Sequence, residues 1–160
     1  MKFQRNIIVI TVIFTISAVT LYFAKGGISL WLKNTLTQTK QVEPNGIKEI
    51  SDVELLKNKE KFENYIKGIN KNVIVKFTAS WCPACKLMIP IEKELSQSFD
   101  KKITFVKINI ENTQVLTQAY GIGGIPLYIY FKDGKEVERK VGGSNKVSFE
   151  KEIKRVFEIK

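Results

Sequence analysis

The stretch Ser80-Trp81-Cys82-Pro83-Ala84-Cys85-Lys86 holds the only two cysteines of a 160-residue chain that has no histidine. Two such ligands cannot complete a structural zinc site or an iron–sulfur cluster unless two chains share the metal, so we expect no metal and no cofactor. A disulfide across so short a loop removes little entropy from the unfolded chain, which makes it a poor structural staple. Two unrelated buried cysteines are a further alternative, because cysteine is often buried.

The segments around the two cysteines favour a redox pair over both structural alternatives. Residues 73–78 read VIVKFT, which is typical of a buried strand, and a helix is predicted from the cysteines to about Phe99. Pro83 suits the first position of that helix, which places Cys82 near its N-cap. A helix N-terminus stabilises a thiolate, the attacking species in disulfide exchange. We therefore predict that Cys82 attacks and that Cys85, one turn along, resolves the mixed disulfide.

The pattern of the remaining segments predicts an α/β fold over residues 46–160. Strands alternate with helices and end in a hairpin, in the order βαβαβαββα, which is typical of a mixed central sheet flanked by helices. Ser51 and Glu54 form a capping-box pattern at the start of the first helix, and Asp133-Gly134 is a hairpin signal. The other expected strands are 47–50, 103–110, 127–131 and 136–141, and the other expected helices are 53–69, 111–120 and one after residue 144.

A second stretch, YGIGGIP (residues 120–126), precedes the predicted strand LYIYF. The chain thus carries VIVKFTASWCPACK, YGIGGIP, FKDGK and KVGG, in this order. Together these segments resemble the thioredoxin family over about residues 46–160. The resemblance implies a thioredoxin-like fold and the activity of a protein-disulfide oxidoreductase. It also implies that Pro126 is cis and faces the cysteine pair, that the Ile125 backbone binds a substrate segment, and that Trp81 flanks the site.

The chain departs from the thioredoxin pattern at residues that influence the redox potential. Pro83 and Ala84 stand between the cysteines, where cytosolic thioredoxins carry Gly-Pro. Lys76 stands where the family has a buried aspartate, and Lys107 where that aspartate has its usual lysine partner. Either Lys76 reaches solvent, as most lysines do, or it lies close enough to the cysteines to lower a thiol pKa. Pro83, Ala84 and Lys76 are therefore the candidate redox-tuning residues.

The N-terminal 45 residues differ from the rest of the chain. After a short basic head at residues 1–6, residues 7–24 read IIVITVIFTISAVTLYFA and carry no charge. A helix of this length spans about 27 Å, close to the hydrocarbon thickness of a bilayer. The apolar region is longer than that of a typical signal peptide, which favours an uncleaved transmembrane helix over a cleaved signal. Residues 25–45 are predicted to be a linker to the folded domain.

The basic residues of the head, Lys2 and Arg5, favour a cytoplasmic N-terminus. We expect a single-pass protein of the inner (cytoplasmic) membrane with an extracytoplasmic, periplasmic catalytic domain. Bacterial proteins that it resembles reduce protein disulfides to thiols outside the cytoplasm with electrons from a membrane-embedded partner. Dedicated oxidants of the family carry a helical insertion for which the spacing leaves no room, so a reductant is preferred. An oxidant or isomerase, or a non-catalytic binding module, are the alternatives.

The net charge of +10 does not indicate nucleic-acid binding. The positive charges are mostly lysines spread along the whole chain, whereas a nucleic-acid interface concentrates them on one face. The expected partners are protein thiols and disulfides, a membrane-embedded electron carrier, and the membrane itself through residues 7–24.

Overall fold

The computed structural model describes residues 46–160. The strands are β1 (Ile47–Glu49), β2 (Asn72–Thr78), β3 (Thr104–Asn109), β4 (Leu127–Lys132) and β5 (Lys135–Val141). The helices are α1 (Val53–Leu56), α2 (Lys59–Ile69), α3 (Pro83–Ser98), α4 (Gln114–Ala119) and α5 (Lys146–Phe157), with a 3-10 helix at Ile110–Asn112. Among these helices, none is both long and apolar enough to span a membrane. The predicted head, membrane anchor and linker fall on residues 1–45, outside the described range.

The five strands form one mixed sheet in the order β1-β3-β2-β4-β5. The first three are mutually parallel, whereas β4 runs antiparallel to both β2 and β5. Because β4 is antiparallel to β2, its first residue, Leu127, pairs with Phe77 near the end of β2. The loop before β4 therefore reaches the same edge of the sheet as the loop that carries the cysteines. The predicted α/β architecture is confirmed.

Both faces of the sheet are covered by helices. On β2, Val73, Val75 and Phe77 belong to one apolar cluster, together with side chains of α1, α2 and α4. Ile74 lies on the opposite face, in a second cluster with side chains of α3 and α5. This alternation follows from the two-residue period of a strand, and it places Lys76 on the face that α3 covers.

The first predicted helix differs from the structure in its start and its continuity. Asp52, not Ser51, is the N-cap of α1, and its carboxylate accepts the N–H of Glu54 at 2.9 Å. The predicted helix 53–69 is two helices, because the side chain of Asn58 accepts the N–H of Lys61 at 3.0 Å and starts α2 afresh. A short polar side chain near a free backbone N–H favours a new cap over a continued helix.

Candidate active site

The two cysteines lie at the junction of β2 and α3, and they form a disulfide with a Cα–Cα distance of 5.3 Å. Cys82 is the N-cap of α3 and has an extended backbone, and Pro83 is the first helical residue. Both positions are as the sequence predicts. Proline suits this place because its missing N–H has no partner inside the helix in any case.

The start of α3 gives the two sulfur atoms different surroundings. The Sγ of Cys82 accepts the backbone N–H of Cys85 at 3.1 Å. A hydrogen bond of this kind stabilises negative charge on Cys82, as does the positive end of the helix dipole. Cys82 and Cys85 are 3% and 2% exposed, so burial does not distinguish the two cysteines. Their positions distinguish them, because Cys82 is the N-cap of α3 and Cys85 lies inside the first turn.

The loop before β4 contacts the disulfide. The Ile125–Pro126 peptide bond is cis, as the thioredoxin resemblance implies. Ile125 packs against the cluster of Ala79, Cys82 and Cys85. The carbonyl of Pro126 accepts the N–H of Gly142 at 2.7 Å, which ties this loop to the end of β5.

The remaining predicted residues are exposed and lie next to the cysteines in the chain. Trp81, immediately before the first cysteine, is 63% exposed. Pro83 and Ala84, between the cysteines, are also exposed. The structure thus brings together the cysteine pair, an exposed aromatic ring and the Ile125–Pro126 loop. The roles assigned to these residues in substrate binding and redox tuning remain predictions.

Lys76 does not reach solvent, so the first of its two predicted arrangements is wrong. Its side chain is 7% exposed, and its Nζ lies 2.8 Å from the carboxylate of Glu92. The same ammonium donates to the backbone carbonyl of Cys85 at 3.1 Å. The physical reason is that Glu92 supplies the countercharge a buried lysine needs. Lys107 has a different partner, Glu49, at 2.9 Å.

Sequence reasoning missed two residues near the cysteines, Glu92 and Tyr128, although the helical spacing of α3 points to Glu92. The buried positions of α3 are Cys85, Met88, Glu92, Leu95 and Ser96, spaced as the inner stripe of a helix, and one of them, Glu92, is charged. A buried carboxylate opposite a lysine in a buried strand indicates an ion pair. Tyr128, whose hydroxyl donates to Glu92, had no such signal, because a tyrosine in a strand is ordinary.

The comparisons with known proteins agree with this arrangement. The thioredoxin family model matches residues 53–155, which include the cysteines, the cis-proline loop and most of α5. The chain belongs to the thioredoxin family. It is a thiol–disulfide oxidoreductase, and like other thioredoxins it acts on protein thiols and disulfides.

This chain aligns with individual thioredoxins over most of their length. The thioredoxin of Buchnera aphidicola subsp. Baizongia pistaciae is 37% identical over 86 residues, which are 54% of this chain and 79% of the relative. The thioredoxin of Alicyclobacillus acidocaldarius is 33% identical over 97 residues, which are 61% of this chain and 91% of the relative. The crystal structure of thioredoxin NaTrxh from Nicotiana alata aligns with a TM-score of 0.59 and 32% identity, covering 72% of this chain and 96% of that one.

Proposed function

We propose that this thioredoxin is anchored in a membrane and reduces disulfides of proteins outside the cytoplasm through the Cys82–Cys85 pair. The observation that carries the redox role is the N-cap position of Cys82, whose Sγ accepts the N–H of Cys85. A helix N-terminus favours the thiolate of a reduced cysteine over the thiol, and the thiolate is the attacking species in disulfide exchange. Cys82 is then the nucleophile and Cys85 the resolving residue.

The reaction takes two exchange steps. The Cys82 thiolate attacks one sulfur of the substrate disulfide, the substrate S–S bond breaks, and the released substrate thiolate takes up a proton. Cys85 then gives up its proton, and its sulfur attacks Cys82 Sγ in the mixed disulfide, releasing the second substrate thiol. Two electrons pass to the substrate, and the Cys82–Cys85 disulfide remains. Cys85 supplies one of the two protons that the substrate thiols take up, and solvent supplies the other. A second dithiol must reduce this disulfide before another turnover.

Substrate contacts involve the residues that surround the disulfide. Ile125 already packs against the cysteines, so a substrate segment paired with its backbone lies within reach of Cys82. Trp81 offers a large, exposed, rigid aromatic surface beside the nucleophile, and such side chains contribute much of the binding energy at protein interfaces. Ile125, Pro126 and Trp81 are therefore the proposed substrate-binding residues.

A reductant is preferred over a dedicated oxidant because the described domain has the short form of the fold. Between β2 and β3 it has α3, and between β3 and β4 it has only the 3-10 helix and α4. Residues 46–160 therefore contain no helical insertion of the kind that the oxidants of this family carry. A reductant outside the cytoplasm needs electrons from inside, and a membrane-embedded dithiol partner is the proposed source.

The membrane location rests on residues 7–24, an uncharged run long enough to cross a bilayer. Fusing alkaline phosphatase after Lys160 tests it in a bacterial host, because this enzyme needs disulfides and is active only outside the cytoplasm. We expect an active, membrane-bound fusion of full length, and an inactive fusion when residues 1–24 are deleted. An inactive full-length fusion contradicts the location, and a shortened, soluble, active product indicates a cleaved signal peptide instead.

The exchange mechanism is tested with the full chain in detergent, with insulin as the disulfide substrate and dithiothreitol as the reductant. We expect the wild-type protein to accelerate insulin reduction, Cys82→Ser to be inactive, and Cys85→Ser to accumulate a mixed disulfide with insulin. A mixed disulfide in Cys82→Ser but not in Cys85→Ser reverses the two roles. A wild-type protein that binds insulin without reducing it favours the non-catalytic binding module.

A further inference from the structure

A row of polar side chains crosses the sheet on the face that α3 and α5 cover. Its members are directly paired in the sheet register from one edge strand to the other: Glu49, Lys107, Lys76, Tyr128 and Lys140. Polar residues under two helices are unusual, because a buried charge is costly unless it is paired. Glu49 and Lys107 form an ion pair with each other. Two similar clusters supply the partners of the other three residues, and each cluster contains a strand lysine, a helix glutamate and a strand tyrosine.

The first cluster lies under the helix that carries the cysteines. The Nζ of Lys76 is 2.8 Å from each carboxylate oxygen of Glu92, and the hydroxyl of Tyr128 donates to Oε1 of the same carboxylate. The side chains of Lys76 and Glu92 are only 7% and 5% exposed. Burial and the Glu92 carboxylate both raise the pKa of Tyr128, so its hydroxyl stays protonated and remains a donor.

The second cluster has the same design but involves a different helix. Lys140 forms an ion pair with Glu152 of α5, and the Tyr130 hydroxyl donates to Glu152 at 2.7 Å. This pair is more exposed than the first, at 20% for Lys140 and 17% for Glu152. Both cysteines lie at the start of α3 and neither on α5, so the second cluster is an internal control for the first.

We propose that Lys76 and Glu92 form an oriented ion pair that raises the reduction potential of the cysteine pair, with Tyr128 and Glu92 as positioning residues for the ammonium. The orientation follows from the bonds of Lys76, whose ammonium donates to the carbonyl of Cys85 in the first turn of α3. Glu92 lies about two turns further along that helix. The positive end of the pair thus lies nearer to the sulfur atoms. This inference rests on the proposed redox role of the two cysteines.

The consequence for the redox equilibrium follows from the charges of the two states. The disulfide is neutral, whereas reduction adds two electrons and, where one thiol is ionised, a single proton, which leaves a thiolate. A nearby cation stabilises the thiolate and has no equivalent effect on the disulfide, so it lowers the thiol pKa and favours reduction. The other charged and titratable groups that neighbouring elements place beside Lys76 are Glu92, Tyr128 and Lys107, and Lys107 is paired with Glu49.

The experiment compares the full-length wild-type protein with Lys76→Met, Lys76→Met/Glu92→Gln and Lys140→Met. Each protein is equilibrated in glutathione buffers of known ratio, and the thiol pKa is measured by thiolate absorbance. The double variant removes both charges and keeps the side-chain volumes. The amide oxygen introduced by Glu92→Gln can still accept the hydrogen bond from the Tyr128 hydroxyl. It therefore avoids the buried unpaired charge that threatens folding in the single variant.

We expect both Lys76 variants to shift the glutathione equilibrium about tenfold toward the disulfide, a potential lower by about 30 mV. The thiol pKa of Cys82 should rise by about one in the same variants. Lys140→Met should match the wild-type protein in both measurements. A folded double variant with the wild-type potential and thiol pKa overturns the proposal, as does an equal shift in Lys140→Met. A wild-type disulfide that does not react with glutathione refutes the redox role itself, which separates the two failures.

Discussion

Ser80 donates its backbone N–H to Oε2 of Glu111 at 2.9 Å, and its hydroxyl lies 3.2 Å from Oε1 of the same carboxylate. The two residues each follow, by two positions, the last register pair of adjacent parallel strands, Thr78 and Asn109. The carboxylate therefore ties the end of β2 to the 3-10 helix after β3. This bond holds the turn from which Trp81 and Cys82 project.

Removing the Glu111 carboxylate should reduce stability in a pH-dependent way. The bond from the Ser80 N–H is the main reason that the pKa of Glu111 lies below its ordinary value of 4.5. A lowered folded-state pKa gives stability that is fully present above the unfolded value and is lost as the pH falls through the folded value. We therefore expect Glu111→Gln to unfold at lower denaturant concentration than the wild type at neutral pH, and the two proteins to converge in acid.

Ser80→Ala is the matched control for that prediction, because it removes the hydroxyl bond and keeps the backbone one. Urea unfolding at a series of pH values should show most of the wild-type pH dependence in Ser80→Ala. A difference between Glu111→Gln and wild type that stays constant down to strong acid would show that the carboxylate charge is not what stabilises this turn.

Trp81 should matter for protein substrates and not for folding. It is 63% exposed, so Trp81→Ala should change the free energy of unfolding by no more than about 0.5 kcal/mol. We expect kcat/KM for insulin to fall about tenfold through the loss of an interface aromatic, while the rate with a small aromatic disulfide stays near the wild-type value. Val147→Ala, at a 76% exposed position on α5, should change neither rate. An equal loss with both substrates would place the effect of Trp81 on the thiols.

The buried ion pair should be strongly non-additive in stability. Glu92→Ala leaves the ammonium of Lys76 buried without its countercharge, which typically costs about 3–5 kcal/mol. Lys76→Met/Glu92→Gln removes both charges and should cost less than Glu92→Ala alone, because no unpaired charge remains. Guanidinium unfolding of the full-length proteins measures both values, and a double variant less stable than Glu92→Ala would contradict the pairing.

Two glycines should respond in opposite directions to substitution by alanine. Gly134, in the hairpin between β4 and β5, has a φ of 76°, and an added Cβ would lie 2.6 Å from the Cβ of Lys67. Gly134→Ala should therefore cost at least about 1 kcal/mol. Gly68 lies in α2 with open space around its Cα, so Gly68→Ala should stabilise the protein by about 0.4–1 kcal/mol. Thermal unfolding of the two variants tests both signs.

The parts of the fold that were predicted from the sequence depend on local rules. A proline after Cys82 indicates a helix start, and the β-branched run before it indicates a buried strand, so the junction that carries the cysteines was predicted. The Asp133-Gly134 turn follows from the dipeptide, because Asp-Gly tolerates positive φ at both residues, and the structure has φ values of 53° and 76° there. In each case the residues that decide the conformation are neighbours in the chain.

The parts that were not predicted depend on contacts between distant residues or on competing caps. The environment of Lys76 is set by Glu92, 16 positions away, and by Tyr128 on another strand. One lysine in a buried strand is compatible both with a solvent-reaching side chain and with a buried ion pair. Ser51 and Asp52 are both good N-caps, and the sequence pattern does not decide which of them meets a free N–H.

The reduction potential of the Cys82–Cys85 pair in the full-length wild-type protein tests the proposed function most directly. Equilibration with glutathione buffers, followed by alkylation of the free thiols, gives the ratio of dithiol to disulfide. We predict a value near about −270 mV, typical of a thioredoxin that reduces its substrates and is itself reduced by a partner. A value near about −120 mV, typical of a protein that introduces disulfides, would contradict the proposal that this thioredoxin is a reductant.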